Sequence, residues 1–189
     1  MLRRNLLAAA IGLVASAPLW AAADNFDLDV NHTYPSFEVN HLGFSVMRGY
    51  FTSTEGALAY DQAAHTGSVK ATIQAASIWT GYAKRDDHLR SKDFFDVEKF
   101  PTLTYASDPF TLDSDKPVAV AGKLTMLGVT KPVSLNVKPT KCAVRGDKNF
   151  VCGAIVSGTL KRTDWGMNTF TPFIGDEVAI QIEVEAIKK

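Results

Sequence analysis

The chain has 189 residues, 20 Lys and Arg against 20 Asp and Glu, 46% apolar residues and two cysteines. With no basic surplus to neutralise a phosphate backbone, nucleic acid is excluded as an expected partner. Apolar and charged fractions near globular averages also exclude a disordered chain, a disulfide-dense miniprotein and a collagen-like repeat.

Arg3 and Arg4, an uncharged stretch from Leu6 to Trp20, and the small residues Ala21, Ala22 and Ala23 ahead of Asp24 stand in the order of a secretory signal peptide. Residues 1–23 are therefore expected to be a leader cut after Ala23, because cutting one residue earlier would put bulky Trp20 three positions before the scissile bond. Removing it leaves 18 basic and 20 acidic side chains over 166 residues, a slightly acidic single domain over residues 24–189. No later stretch reaches the roughly 20 apolar residues of a spanning helix.

From residue 24 onward the chain reads mostly as strands, at 26–30, 36–44, 46–51, 57–60, 69–75, 103–107, 118–126, 133–137, 150–161 and 178–186. The last is the clearest: Val178, Ile180, Ile182, Val184 and Ala186 alternate with Ala179, Gln181, Glu183 and Glu185, one face buried and one wet. Turn residues separate the runs, as at Thr54-Glu55-Gly56, His65-Thr66-Gly67 and Leu127-Gly128. Between 77 and 99 the alternation stops, and Ile78, Tyr82, Arg85 and Leu89 fall at the spacing of a helix stripe. Thr80 or Ser77 is the expected cap of that helix, and Asp93 the cap of a second short turn carrying Phe94, Phe95 and Val97. The pattern predicts an all-β fold: an eight-stranded antiparallel β-barrel, closed so that no edge is free, with one helical insertion at about residues 77–99.

Numbering inward from Cys142 and Cys152 pairs Ala143 with Val151, Val144 with Phe150 and Arg145 with Asn149, leaving Gly146, Asp147 and Lys148 at a hairpin tip. A disulfide across the hairpin is expected in an exported protein. The tip also accounts for Arg145-Gly146-Asp147 without an adhesion tripeptide.

An eight-stranded barrel is either filled by side chains or holds one slender ligand. Trp79, Tyr82, Phe94, Phe95, Phe100 and Tyr105 gather where the insertion meets the barrel, as end-plugging core or as lumen lining. No nucleophile elbow, phosphate loop or paired-histidine zinc motif is present. His32, His41, His65 and His88 never fall at metal-binding spacing, and Asp86, Asp87 and His88 point about 100° apart on a helix. The expectation is thus a protein that is not an enzyme, with no catalytic residue, no metal and no cofactor. Arg85 shares the stripe of Ile78, Tyr82 and Leu89, which puts a permanent charge on an apolar face. It serves either an ion network with Asp86, Asp93 or a strand carboxylate, or as the anchor of a ligand headgroup at the barrel mouth.

Ser77-Ile78-x-Thr80 followed by Arg85-Asp86-x-His88-Leu89-Arg90-Ser91-x-Asp93-Phe94-Phe95-Asp96-Val97 and Phe100-Pro101 resembles the signature of the YceI-like family of polyisoprenoid-binding proteins. His41-x-Gly43-x-Ser45 with Gly49 and Phe51 resembles its early strand pair, Gly122 through Val133 its central hairpin, and Arg162-Thr163-Asp164-Trp165-Gly166-Met167 with Gly175-Asp176-Glu177-Val178 its final strands. The resemblance implies a lipocalin-like barrel in the periplasm, a binding or carrier protein whose lumen holds a long-chain isoprenoid, a quinone or a similar amphiphilic lipid. The residues expected to line lumen and mouth are Phe37, Val39, Phe44, Ile78, Trp79, Tyr82, Arg85, Leu89, Phe94, Phe95, Phe100 and Tyr105. Trp79 stands where the family pattern has a smaller or aliphatic residue, so it is expected to shorten or reshape the cavity. The alternative is an envelope interaction module with a filled barrel, partnering a membrane redox protein or another envelope protein. Transient contact with inner-membrane proteins and homodimer formation fit either reading.

Overall fold

The computed structural model describes residues 23–189; the expected leader, apart from Ala23, lies outside the described residues. Twelve strands and one helix follow in chain order: β1 (Asp24–Leu28), β2 (Tyr34–His41), β3 (Ser45–Phe51), β4 (Thr54–Asp61), β5 (Thr66–Gln74), β6 (Ile78–Trp79), α1 (Ala83–Arg90), β7 (Thr102–Ser107), β8 (Phe110–Thr111), β9 (Val118–Met126), β10 (Val129–Val144), β11 (Phe150–Lys161) and β12 (Ile174–Lys188). Pairing shows that several of these are halves of one stave. β1 and β4 pair at one end while β2 and β3 pair at the other. β5 takes both β7 and β8 as partners, and β6 continues β5 alongside β3. The staves are therefore β1–β2, β3–β4, β5–β6, β7–β8, β9, β10, β11 and β12, an eight-stranded antiparallel meander in chain order.

β12 closes it. One flank pairs with β11 from Glu177 to Ile187, and the other with β2 as far as Glu183 and with β1 from Ala186 onward. Between β1 and β2 the chain arches outward, and the Thr33 side chain keeps the seam bonded: Thr33 Oγ1 donates to Glu185 O (3.1 Å) and accepts from Glu185 N (3.2 Å). The ring of staves is thereby closed.

The insertion is shorter in helix than the spacing predicts. Ile78 and Trp79 are held extended against Phe51 and Tyr50, and Gly81, at φ +77°, turns the chain before the eight residues of α1 begin. Neither Ser77 nor Thr80 caps the helix: Ser77 Oγ accepts from Ser53 N (3.1 Å), and Tyr82 is the cap residue. The second turn is capped by Ser91, whose hydroxyl accepts from Asp93 N (3.3 Å).

Thr80 instead receives the charges of α1. The buried Asp86 carboxylate accepts from Thr80 N (2.9 Å) and Thr80 Oγ1, while Arg85 Nε and Nη2 donate to Thr80 Oγ1 and Thr80 O, both at 2.7 Å. Arg90 adds bonds to Ala76 O (2.8 Å) and Ile78 O (3.0 Å). Among the described residues, Arg85 thus pairs with no carboxylate. Residues 85 and 86 leave the helix in different directions, and both converge on Thr80, just past the end of β6.

Two packed cores result. One, at the insertion end, gathers Phe51, Ile73, Ile78, Phe94, Leu103, Met126, Trp165 and Met167; the other, at the end holding both termini of the barrel, gathers Phe26, Leu28, Tyr60, Cys152 and Ala186. The Cys142–Cys152 disulfide is present, in the expected register with Ala143 opposite Val151 and Val144 opposite Phe150. On the chain-entropy model it contributes about 2.5–3 kcal/mol.

At the same end Arg145 folds back from the hairpin tip. It donates to Asp29 (2.9 Å), Asp147 (2.7 Å) and Glu185, and so ties the tip to the arch between β1 and β2. Burial raises the Asp29 value, but hydrogen bonds from Arg145, Asn31 N–H and His32 outweigh it and leave the carboxyl below the ordinary range. Arg145, with Asn149 N–H, also holds the Asp147 carboxyl well below that range. Stability from such depressed groups is present above about pH 4 and is lost as pH falls through their folded values. Arg145→Met is therefore expected to cost more stability at neutral pH than at strongly acidic pH, with the gap closing below about pH 4. Urea unfolding of both proteins across that range measures it; a cost independent of pH contradicts the network.

Candidate functional site

Between the two cores lies a lumen of about 510 Å³, within the range of ligand pockets. Its wall is the inward period-2 face of the long strands: Val133, Leu135 and Val137 of β10, and Val178, Ile180, Ile182 and Val184 of β12. Leu135, Val137, Ile180 and Ile182 point inward yet remain only partly buried, because they face space and not packed neighbours. This barrel is not filled.

The insertion end is a closed floor. Phe94 and Phe95 reach the lumen from the turns after α1, Leu89 from α1 itself and Met167 from the loop after β11, and all four are buried or partly buried. Phe51 meets Phe95 edge-on at 5.5 Å, and Trp165 Nε1 donates to Leu124 O (3.2 Å) behind them. Arg162, 4% exposed, fastens this floor loop through Gly175 O (2.8 Å), Met167 O (2.8 Å), Thr171 Oγ1 (2.8 Å) and Ile174 O (2.9 Å). Burial lowers its value, with Asp176 opposing the shift, and carbonyl dipoles take the place of a direct counter-ion.

The opposite end is the mouth. The exposed lining residues, His65, Ser114, Thr140, Lys141 and Cys142, all stand there. β9 begins only at Val118, opposite Val137, so above that point β10 bonds to β11 alone, and its register shifts between Pro139 and Cys142. Thr140 lies over Gly153, where a Cβ would come 2.5 Å from its hydroxyl, and the disulfide then brings β10 back to β11.

Of the residues expected at the site, Phe37, Val39, Leu89, Phe94, Phe95 and Tyr105 line the lumen. Phe44 is 90% exposed on the turn between β2 and β3, and Ile78 is fully buried in the floor core beneath the lumen surface. Trp79 (48% exposed) and Tyr82 (54%) face solvent, Trp79 packing on Tyr50 with ring centroids 5.0 Å apart, so Trp79 neither shortens nor reshapes the cavity. Phe100 packs against Gly128 outside the lumen lining. Arg85 is bound at Thr80 with Tyr82 beside it, at the floor end and outside the lining. Helix periodicity misleads here because residues 78 and 79 are strand, which breaks the stripe joining Ile78 to Arg85. The missing wall residues of β10 and β12 were visible as alternation, but nothing local distinguishes an inward face on a cavity from one on a core.

Polar atoms are few in the lumen. Thr54 Oγ1 is buried without a partner, and Tyr60 Oη lies 3.3 Å from His65 Nδ1. Burial pushes the phenols of Tyr60 and Tyr105 up, with Asp61 and Asp108 adding to it, so both are neutral donors at physiological pH. Asp29, His32 and Glu185 also converge, ligand atoms within 4.8 Å, outside the lumen; the Arg145 guanidinium already bridges the two carboxylates.

The YceI-like domain family matches this chain over residues 26–186. The chain belongs to that family. UPF0312 proteins of Pectobacterium atrosepticum and Pseudomonas aeruginosa are each 34% identical over the full length of both chains. The YCEI protein of Campylobacter jejuni is 29% identical, with a TM-score of 0.72 over 79% of this chain and 90% of that one. BcnA of Burkholderia cenocepacia shares the fold at 23% identity, with a TM-score of 0.75 over 84% of this chain and 98% of that one. A polyisoprenoid binding domain of Saccharophagus degradans shares it at 15% identity, with a TM-score of 0.63 over 89% and 100%.

In this YceI-like domain the block from Arg162 to Met167 is the floor fastening described above, with Asp176 accepting from Thr163 N and Thr163 Oγ1 at 3.0 Å. Arg162→Met strands three buried or part-buried carbonyls and is expected to lower stability by about 2–4 kcal/mol. Arg162→Lys recovers little of it, since an ammonium cannot span the same acceptors. Urea unfolding of both variants is the measurement, and wild-type stability in Arg162→Met contradicts the assignment.

Proposed function

We propose that the protein is a carrier or sequestering protein of the periplasm that holds an isoprenoid lipid, a quinone or a similar amphiphile in its lumen, and that it catalyses no reaction. The observation that carries this reading is the apolar lumen, closed at the floor and open at the mouth. At roughly 30 Å³ per small group, its volume suits on the order of 15–20 methylene-sized groups. Withdrawing these from water contributes about 12–16 kcal/mol at about 0.8 kcal/mol each, set against association costs of about 4–15 kcal/mol. Binding needs no dense polar contact, and chain selectivity is loose. A structural neighbour named for polyisoprenoid binding has the same fold, which supports an isoprenoid as the class of ligand. A filled-barrel interaction module is disfavoured by a lumen of about 510 Å³.

Solvent extraction or native mass spectrometry of protein purified from its own envelope is expected to release a long-chain lipid. Empty protein that also takes up no prenyl lipid or long-chain quinone overturns the proposal. Val137→Trp, which puts an indole into the upper lumen, is expected to cut lipid uptake at least tenfold while the domain stays folded by circular dichroism.

Export supplies a separate check. Protein recovered from the periplasmic fraction is expected to begin at Asp24, by N-terminal sequencing or intact mass. A mature chain that retains Arg3 and Arg4 contradicts the leader.

A further inference from the structure

Tyr105 carries a hydroxyl into the middle of an apolar wall. In β7, Leu103 and Tyr105 point inward while Thr104 and Ala106 are exposed, and Tyr105 pairs with two other lining residues, Ala71 of β5 and Leu124 of β9. Its ring lies over Gly122, where a Cβ would come 2.6 Å from the hydroxyl and 2.7 Å from Cζ. Gly122 stands between Val120 and Leu124 on the inward face of β9, so the phenol is on the inner surface of the barrel. The hydroxyl ends beside the carbonyl of Val120, whose strand partner Leu135 lines the middle of the lumen.

That hydroxyl is hardly used. Its bond to Val120 O is 3.5 Å long, beyond the usual range for such a pair, and among the described residues it makes no other. The remaining polar groups of the lining are engaged, buried in the wall or at the mouth. Thr33 bonds Glu185, Ser36 bonds Gln181 O, Arg162 bonds the floor loop, Tyr60 meets His65, and Thr54 Oγ1 is buried within the wall. Tyr105 is only partly buried, and it lines the lumen.

We infer that the lumen selects an amphiphile carrying a neutral oxygen, a hydroxyl or a quinone carbonyl, which accepts a hydrogen bond from Tyr105 Oη at mid-height. This rests on the carrier reading and adds to it the chemical class of the buried group and the residue that recognises it. Burial keeps the phenol protonated and donating, and the Asp108 carboxylate, which acts on it through space, opposes an anion at the same point. A neutral oxygen loses water on entry and regains a bond from the phenol, whereas a hydrocarbon gains nothing there.

Displacement of the fluorescent probe N-phenyl-1-naphthylamine by farnesol, decylubiquinone, the hydrocarbon farnesene and the farnesoate anion tests it. Tyr105→Phe removes one oxygen and keeps the ring. It is expected to weaken farnesol, the quinone or both by about three- to tenfold while farnesene stays within about twofold, the difference isolating the hydrogen bond. Loss for farnesol alone assigns a hydroxyl as the partner, and loss for the quinone alone a carbonyl. Farnesoate, whose charge stays in water at the mouth, is expected to change by less than about twofold. Tyr82→Phe is the control, since Tyr82 faces solvent outside the lining, and it is expected to leave all four ligands within about twofold. The inference is overturned if Tyr105→Phe weakens neither farnesol nor the quinone beyond farnesene, if farnesoate loses as much as they do, or if Tyr82→Phe has the same effect. Failure of wild type to bind all four ligands overturns the carrier reading, and the Tyr105 subsite with it.

Discussion

The molecule depends on one closure. β12 must satisfy β11 on one flank and, on the other, two successive strands separated by an outward arch. Were the seam at Thr33 and Glu185 to open, the barrel would become a curled sheet with two unpaired edges and a wall of Val and Ile exposed to water. Once the ring is closed with eight staves, its interior has a width that medium aliphatic side chains alone do not fill. The lumen is what closure leaves when Leu135, Val137, Ile180 and Ile182 line the middle and bulky rings are confined to the ends.

The two ends are built by different means, and the difference gives the site a direction. At the floor, fastening does the work: Asp86 and Arg85 grip Thr80, and Arg162 grips the loop after β11, so that phenylalanines can be held over a void without collapsing into it. At the mouth, β9 starts late and leaves the upper part of β10 without a second partner. The bulge and the disulfide occupy that gap, one adding a residue between the inward positions Pro139 and Cys142 and the other holding the strand to β11.

Polar groups near the lumen follow the same division. Those toward the floor are spent on neutral acceptors, as with the guanidinium of Arg162. Those at the mouth, among them His65 and Ser114, are exposed. A second charged cluster at the mouth end, around Arg145, lies outside the lining and works on the chain itself, joining the hairpin tip to the arch that interrupts the β1–β2 stave.

The sequence by itself determined the strands, their antiparallel order, the cysteine hairpin to the residue, and the family. All of these rest on local signals, namely period-2 alternation, turn residues and a long contiguous motif. It also placed Phe94, Phe95 and Leu89 beside the lumen, since the insertion had to cover an open end. Which end is the mouth was decided only in three dimensions. Arg85, a charge on an apparent apolar stripe, called for either a carboxylate network or a headgroup at the mouth, yet its partner is Thr80, reached only because β6 continues β5 as a strand. Alternation says which residues share a face; whether that face meets a core, a cavity or solvent depends on how far each neighbouring strand extends, which is a property of the closed sheet and not of any one strand.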